Sequence, residues 1–250
     1  MIIRDITTGS FMLARGVHLI RQPGIRPYVI MPLLINILLF GGLLWFGYTK
    51  FSPLVEWVMA WVPGWLDMIR WLIWVLIISM TTIIVFFTFT PIANIIAAPF
   101  NALMAEKIEA LMTGRDVNTH QSFITLAVGS IRSQLHRLGY LLLWSAGLFL
   151  LSLIPVINLI SPVLWVVLGA WLLSLEYLDY PMGNHHLTFA RQKQILARRR
   201  SLTLGFGGMV MILTSIPVVN FFVMPITVAG ATAMWVDELA DAESTQIVKS

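Results

Sequence analysis

The stretch QPGIRPYVI, residues 22–30, sets Pro23, Gly24, Ile25, Arg26 and Pro27 in a row at the head of an apolar run. Pro23 and Gly24 end whatever helix precedes them. Pro27 suits the first turn of the next helix, where its missing N–H costs nothing. A helix start offers free N–H groups and the positive end of the peptide dipole, and a neighbouring guanidinium can fork onto two oxygens of one anion. These residues therefore fit an oxyanion, phosphate or sulfate. The competing reading makes Arg26 an anchor for lipid headgroups.

A second constellation lies in LEYLDYPMGNHH, residues 175–186, with Glu176, Asp179, His185 and His186. Acid–base or metal chemistry would need these groups to converge. Adjacent histidines point to different sides of a helix or strand, unlike the i, i+4 pair of a zinc protease. A structural role fits better: Pro181 and Gly183 form a turn, Asn184 or Thr188 caps the next helix, and Glu176 or Asp179 pairs with an arginine of the basic run RQKQILARRR, residues 191–200. The chain has no cysteine, which excludes thiolate metal sites, thiol catalysis and disulfides. It has no GxxxxGK[ST] loop for nucleotide hydrolysis. The expectation is no catalytic residue, no metal and no cofactor.

A third pattern recurs three times, as TPIANIIAAP at 90–99, IPVINLISP at 154–162 and IPVVNFFVMP at 216–225. Asn94, Asn158 and Asn220 each stand three residues after a proline, and a second proline comes after each. Proline breaks the preceding helix and frees carbonyls, which an asparagine side chain can satisfy. The motif reads as a tip where a helix stops and turns, and the three asparagines are candidates for such tips or for a polar pathway.

The elements that must carry these residues can be read from composition. Hydrophobic residues make up 58% of the 250 and charged ones 11%, with a mean hydropathy of +0.84. A soluble domain carries about 25% charged residues, so this is an all-α integral membrane protein. The first 27 residues hold four arginines and no apolar core before a small-residue cleavage site, so no cleaved signal peptide is expected.

Uncharged apolar runs at 28–49 and 71–100 are long enough to span a hydrocarbon core of about 30 Å. Shorter runs at 138–154, 159–175, 202–216 and 221–236 form two pairs, each joined by a proline–asparagine motif. Uncharged tips favour two half-penetrating (re-entrant) helical hairpins at 138–175 and 202–236 over surface loops joining four short spans. All Lys and Arg except Lys50 and Arg70 then fall on one side, which places both termini in the cytoplasm. The basic run reads as a lipid-facing anchor, with no nucleic-acid role.

Residues 1–27 form an amphipathic interfacial helix, with Met12, Leu13, Gly16, Val17 and Ile20 on one face and Arg15, His18 and Arg21 on the other. Residues 101–137 hold cytoplasmic helices. One of them, FNALMAEKIEALMTG, has Asn101 as a candidate N-cap and Gly114 as its stop. A helix can run from Gln121 to Ile154, and residues 237–250 are a tail, all within a single membrane domain.

No apolar run contains Asp, Glu, Lys, Arg or His, which disfavours a pump driven by deep carboxylates. Four blocks, QPGIRPYVIMPLLIN, IAAPFNALMAEKIEALMTG, LDYPMGNHH and MPITVAGATAMWVD, resemble the CysZ family of bacterial inner-membrane sulfate permeases, and the similarity covers nearly the whole chain. The resemblance implies sulfate uptake across the inner membrane into the cytoplasm for cysteine biosynthesis. It also implies two long transmembrane helices with half-penetrating hairpins, a homo-oligomer, and sulfate binding at Gly24, Ile25 and Arg26. One departure is that Pro27 stands where the family usually has a second basic residue. On physical grounds, two spanning helices cannot enclose a pore, so partner copies are expected. Uncharged segments suit pore-like passage without ATP. The expected partners are sulfate, the lipid bilayer and further copies of the chain. A membrane scaffold, or an enzyme built on Glu176 to His186, is the alternative.

Overall fold

The computed structural model describes residues 2–61, 63, 70–115 and 123–240, with the side chains of 123–136 and of Asn94, among others, outside that description. Among the described residues there is no strand. The helices are α1 (Ile2–Ile20), α2 (Arg26–Ala60), α3 (Arg70–Thr113), α4 (Phe123–Ser152), α5 (Pro155–Asn158), α6 (Ser161–Asn184), α7 (Phe189–Arg198), α8 (Arg200–Thr214) and α9 (Pro217–Met234). A π-helical turn, Trp235–Leu239, extends α9. The chain divides into two units, Ile30–Ala97 and the remainder.

The smaller unit is an antiparallel pair made of α2 and the first part of α3. Its helices meet through Phe40 and Phe89, with ring centroids 5.5 Å apart, and through Phe51 and Trp74 at 6.0 Å. α2 has 35 residues, roughly 52 Å of helix against a core of about 30 Å. Leu38, Trp45 and Phe87 are exposed, as hydrocarbon-facing residues are. Trp57, Trp61, Trp71 and Trp74 flank the connection between the helices, a placement suited to a membrane–water interface.

In the larger unit α1 carries a buried stripe of Gly9, Met12, Leu13, Gly16 and Leu19, the i, i+3, i+4, i+7 spacing of one helix face. This is the apolar face read from the sequence as interfacial. It lies instead against α8 and α9. The contact is backbone to backbone: Gly9 abuts the Leu202 carbonyl, Gly205 abuts Ile6, Gly16 abuts the Ile226 carbonyl, and Gly230 abuts the Met12 carbonyl. Small residues allow such close approach where lipid gives apolar helices no reason to associate. Gly207 brings α8 against the Ala170 carbonyl of α6 in the same way. Around these contacts, Met104, Ile108, Leu178, Leu196, Phe206 and Val228 belong to one buried cluster.

The proline–asparagine motif behaves in two ways. At 154–158 and 216–220 the isoleucine before proline is extended (φ −81°, ψ 119° and φ −98°, ψ 109°), and proline opens a new helix in its first turn. The isoleucine carbonyl accepts the backbone N–H of the asparagine at 2.9 Å in both copies. The asparagine side chains were expected to satisfy freed carbonyls. Both are exposed and make no hydrogen bond among the described residues. The first copy does not turn at all, because α3 runs through Pro91, Asn94 and Pro99 to Thr113. Ala98, Ala102, Met104, Ala105 and Ile108 on that continuation are buried, which favours carrying the helix on. Asn101 is accordingly buried inside α3 and not an N-cap. Gly114 ends α3 as expected, at φ +67° with its N–H donating to the Ala110 carbonyl at 2.9 Å.

Among the described residues, three helical stretches are long and apolar enough to cross a membrane: Arg26–Ala60, Ser161–Asn184 and Phe222–Leu239. Trp71–Val85, Arg137–Ser152 and Arg200–Thr214 are shorter apolar stretches.

Gly16→Leu drives a side chain into the α9 backbone and is expected to cost at least the ~1–3 kcal/mol of overpacking, seen as a lower thermal midpoint in detergent. Gly183→Ala, which meets nothing within 4 Å, leaves that midpoint unchanged or higher. Asn158→Leu and Asn220→Leu shift stability by no more than about 0.5 kcal/mol, the usual range for surface changes. A large loss in either asparagine variant would restore a structural role to that side chain.

Candidate functional site

The residues read as an oxyanion site form the turn between α1 and α2. Arg21 and Gln22 close the end of α1 by donating backbone N–H groups to the carbonyls of His18 (3.3 Å) and Leu19 (3.1 Å). The Gln22 carbonyl then accepts from both Ile25 (3.0 Å) and Arg26 (3.2 Å), which folds the chain back into α2. The Ile25 side chain is fully buried in the same cluster as Leu13 and Leu19. It works as a plug that holds the turn on the core.

Gly24 and Arg26 lie on the open side of that plug. A Cβ on Gly24 would meet nothing within 4 Å, and its φ is not positive, so the glycine leaves open space and relieves no strain. Arg26 is exposed, and its Nε donates to the Arg21 carbonyl at 2.9 Å. That bond orients the guanidinium while both Nη groups stay without a partner among the described residues. The expected row of free helix N–H groups is not there. Gln22 takes those of Ile25 and Arg26, Tyr28 donates to the Ile25 carbonyl at 3.0 Å, and Pro27 has none. What the turn offers an anion is the forked guanidinium and the open Gly24 backbone.

The second constellation is a structural staple. Arg137 of α4 pairs with Asp179 of α6 and donates from Nη1 to the Glu176 carbonyl at 3.4 Å. Gln192 of α7 donates from Nε2 to Asp179 at 2.8 Å and to the Leu187 carbonyl at 3.1 Å. Asp179 thus pairs with Arg137, a partner 42 positions away on α4. His185 lies 2.8 Å from Glu109 of α3, and Asn184 donates to the Ala102 carbonyl at 2.9 Å. Pro181 and Gly183 sit within α6, so they do not make the expected turn. The turn comes later, at His186 (φ +58°), and Thr188 then caps α7 by accepting from the Arg191 N–H at 3.4 Å. No group of three His, Cys, Asp or Glu able to hold a metal occurs among the described residues.

Other ion pairs had no signal in the sequence. Arg199 bridges Asp5 (3.6 Å) and Glu238 (2.9 Å), and Arg15 pairs with Asp237. Part of the basic run is therefore neutralised within the protein. Asn158 is the last residue of α5 and Asn220 lies in the first turn of α9, and the Asn94 side chain lies outside the described residues.

The profile of the family described as "Sulfate transporter CysZ/Etoposide-induced protein 2.4" matches residues 12–225. A protein of Pseudomonas fluorescens named sulfate transporter CysZ is 39% identical over 236 residues, covering 93% of this chain and 94% of its own. A Pseudomonas syringae pv. tomato protein of the same name is 41% identical over 234 residues, covering 92% of each chain. One from Pectobacterium atrosepticum is 37% identical over 247 residues, covering 97% of this chain and 90% of its own.

Breaking the staple from one side leaves a buried charge unpaired. Asp179→Ala is expected to cost about 3–5 kcal/mol in detergent unfolding, and the apolar pair Arg137→Met with Asp179→Leu to recover most of it. An Asp179→Ala protein as stable as the parent would mean that the pair does not hold α4 to α6.

Proposed function

We propose, from the premise that the chain belongs to the CysZ family of sulfate transporters, that it carries sulfate across the bacterial inner membrane into the cytoplasm and binds it at Gly24, Ile25 and Arg26. The observation that supports this site is the exposed Arg26 guanidinium, oriented through Nε with its Nη groups unpartnered, beside the open space at Gly24. Sulfate is a strongly hydrated dianion, so a site that strips its water must return hydrogen bonds to charge. A planar fork does this better than an ammonium. Ile25 keeps the site on a rigid base, which limits the ordering cost of binding.

The same reading extends to the path. α8 has 15 residues, roughly 22 Å of helix, and it turns directly into α9. The shorter arm of a hairpin limits its depth, which supports a tip inside the bilayer at Ile216–Asn220. The uncharged tips point the same way, with Asn158 and Asn220 lining a route. Apolar segments without ionisable groups support pore-like passage without ATP hydrolysis, and the two long helices of the smaller unit require further copies to enclose it. The charge distribution supports cytoplasmic termini. Sulfate delivered there serves cysteine biosynthesis.

Radiolabelled sulfate uptake into liposomes holding purified protein alone tests transport, and absence of uptake would leave a scaffold role. On the purified protein, Arg26→Ala is expected to abolish measurable sulfate binding and Arg26→Lys to weaken it about ten- to a hundredfold. Arg21→Ala, which keeps the carbonyl that Arg26 uses, has a smaller effect. Unchanged affinity in Arg26→Ala would remove the site from this turn.

A further inference from the structure

A groove of about 1120 Å³ in the larger unit runs along α4 and α6 and is flanked by α7 and α8. This exceeds the roughly 300–1,000 Å³ of ordinary small-molecule pockets. Its two ends differ in chemistry. One end holds Tyr140, Trp171, Lys193 and Arg200, and the walls run to Leu151 and Leu164 at the other. Trp171 donates from Nε1 to the Tyr140 hydroxyl at 3.2 Å, and the Lys193 ammonium lies 4.6 Å from the centroid of the Tyr140 ring. Arg200 is exposed and donates from Nε to the Ala197 carbonyl at 3.2 Å, which leaves both Nη groups without a partner among the described residues. No acidic side chain is among the described residues that line the groove.

The length of the groove is informative. From Tyr140 to Leu151 along α4 is roughly 16 Å at 1.5 Å per residue, about half of a 30 Å hydrocarbon core. An apolar channel one leaflet deep, with two cations at its polar end, complements a single kind of molecule in a membrane. We propose that the groove binds one anionic phospholipid, with its phosphate between Lys193 and Arg200 and an acyl chain laid toward Leu151 and Leu164. Sulfate does not fit, because leucine walls return no hydrogen bonds to a dianion. An apolar helix from a second copy would leave both cations uncompensated. The site is separate from the α1–α2 turn and does not depend on sulfate binding there.

Native mass spectrometry of the full chain in detergent tests the proposal, with phosphatidylglycerol and phosphatidylcholine of identical acyl chains as probes. The expected result is one phosphatidylglycerol retained per chain in preference to phosphatidylcholine. Lys193→Gln combined with Arg200→Gln lowers phosphatidylglycerol affinity about tenfold or more and removes the preference. Leu151→Trp, at an exposed position that narrows the apolar end, weakens both lipids. Arg198→Gln, an exposed arginine of α7 outside the groove, changes neither. Phosphatidylglycerol retention that survives the double variant would overturn the proposal, as would an equal loss in Arg198→Gln, which marks diffuse surface charge. Oligomers that exclude lipid while covering Lys193 and Arg200 would also overturn it and assign the groove to a second copy.

Discussion

The close approach of α1 to α8 and α9 is the contact on which the rest of the larger unit depends. Where Gly9, Gly16, Gly205 and Gly230 meet neighbouring backbone, side chains would hold the helices several ångströms further apart. Lipid and apolar helix are equally apolar, so association in a bilayer rests on packing and hydrogen bonds, not on escape from water. Glycine contacts maximise that packing. They also make α1 a fixed element, and the turn after it inherits the rigidity through Ile25, buried in the same cluster as Leu13 and Leu19. An anion site needs that support, because a guanidinium on a wandering loop would lose to solvent most of what it gains from the ion.

Charge is organised around this packed centre. Arg199 with Asp5 and Glu238, and Arg15 with Asp237, join α1 to the start of α8 and to the π-helical turn after α9. Arg137, Asp179 and Gln192 join α4, α6 and α7, while Glu109 and His185 bring in the end of α3. A buried pair such as Arg137 with Asp179 adds little net stability over apolar residues, yet removing one partner is costly, so it selects one arrangement of helices. The pairs also separate the cations by function. Arg15, Arg137 and Arg199 are neutralised within the fold, whereas Arg26 and Arg200 keep guanidinium nitrogens without acidic partners among the described residues, one at the α1–α2 turn and one at the mouth of the lipid-sized groove.

The proline–asparagine motifs show how far local sequence reaches. Pro155 and Pro217 announce a helix start because proline cannot continue the helix before it and suits the first turn of the next. The side chains of Asn158 and Asn220 do not take the role their spacing suggests, because the carbonyl before each proline is satisfied by the asparagine's own backbone N–H, a bond any residue other than proline could make. The same motif at Pro91 stays helical. Burial of the following segment does not by itself decide this, since Ala98 to Ile108 pack into the core after the first copy and Val223 and Ile226 after the third, while Leu159 and Ile160 stay exposed after the second.

The sequence by itself determined the all-helical membrane class, because 58% hydrophobic residues in long uncharged runs leave helices as the way to satisfy backbone groups in lipid. It also determined the amphipathic face of α1, the stop at Gly114, a cap at Asn184 or Thr188, and a turn at Pro23–Gly24 before Arg26. Each rests on residues within one or two helical turns of one another. Only the tertiary structure decided that α1's apolar face meets protein and that Asp179 finds Arg137 at 42 positions' distance. A stripe of apolar residues or a lone charge states what a surface needs, while the other helices, brought together by backbone contacts at glycine, decide what supplies it.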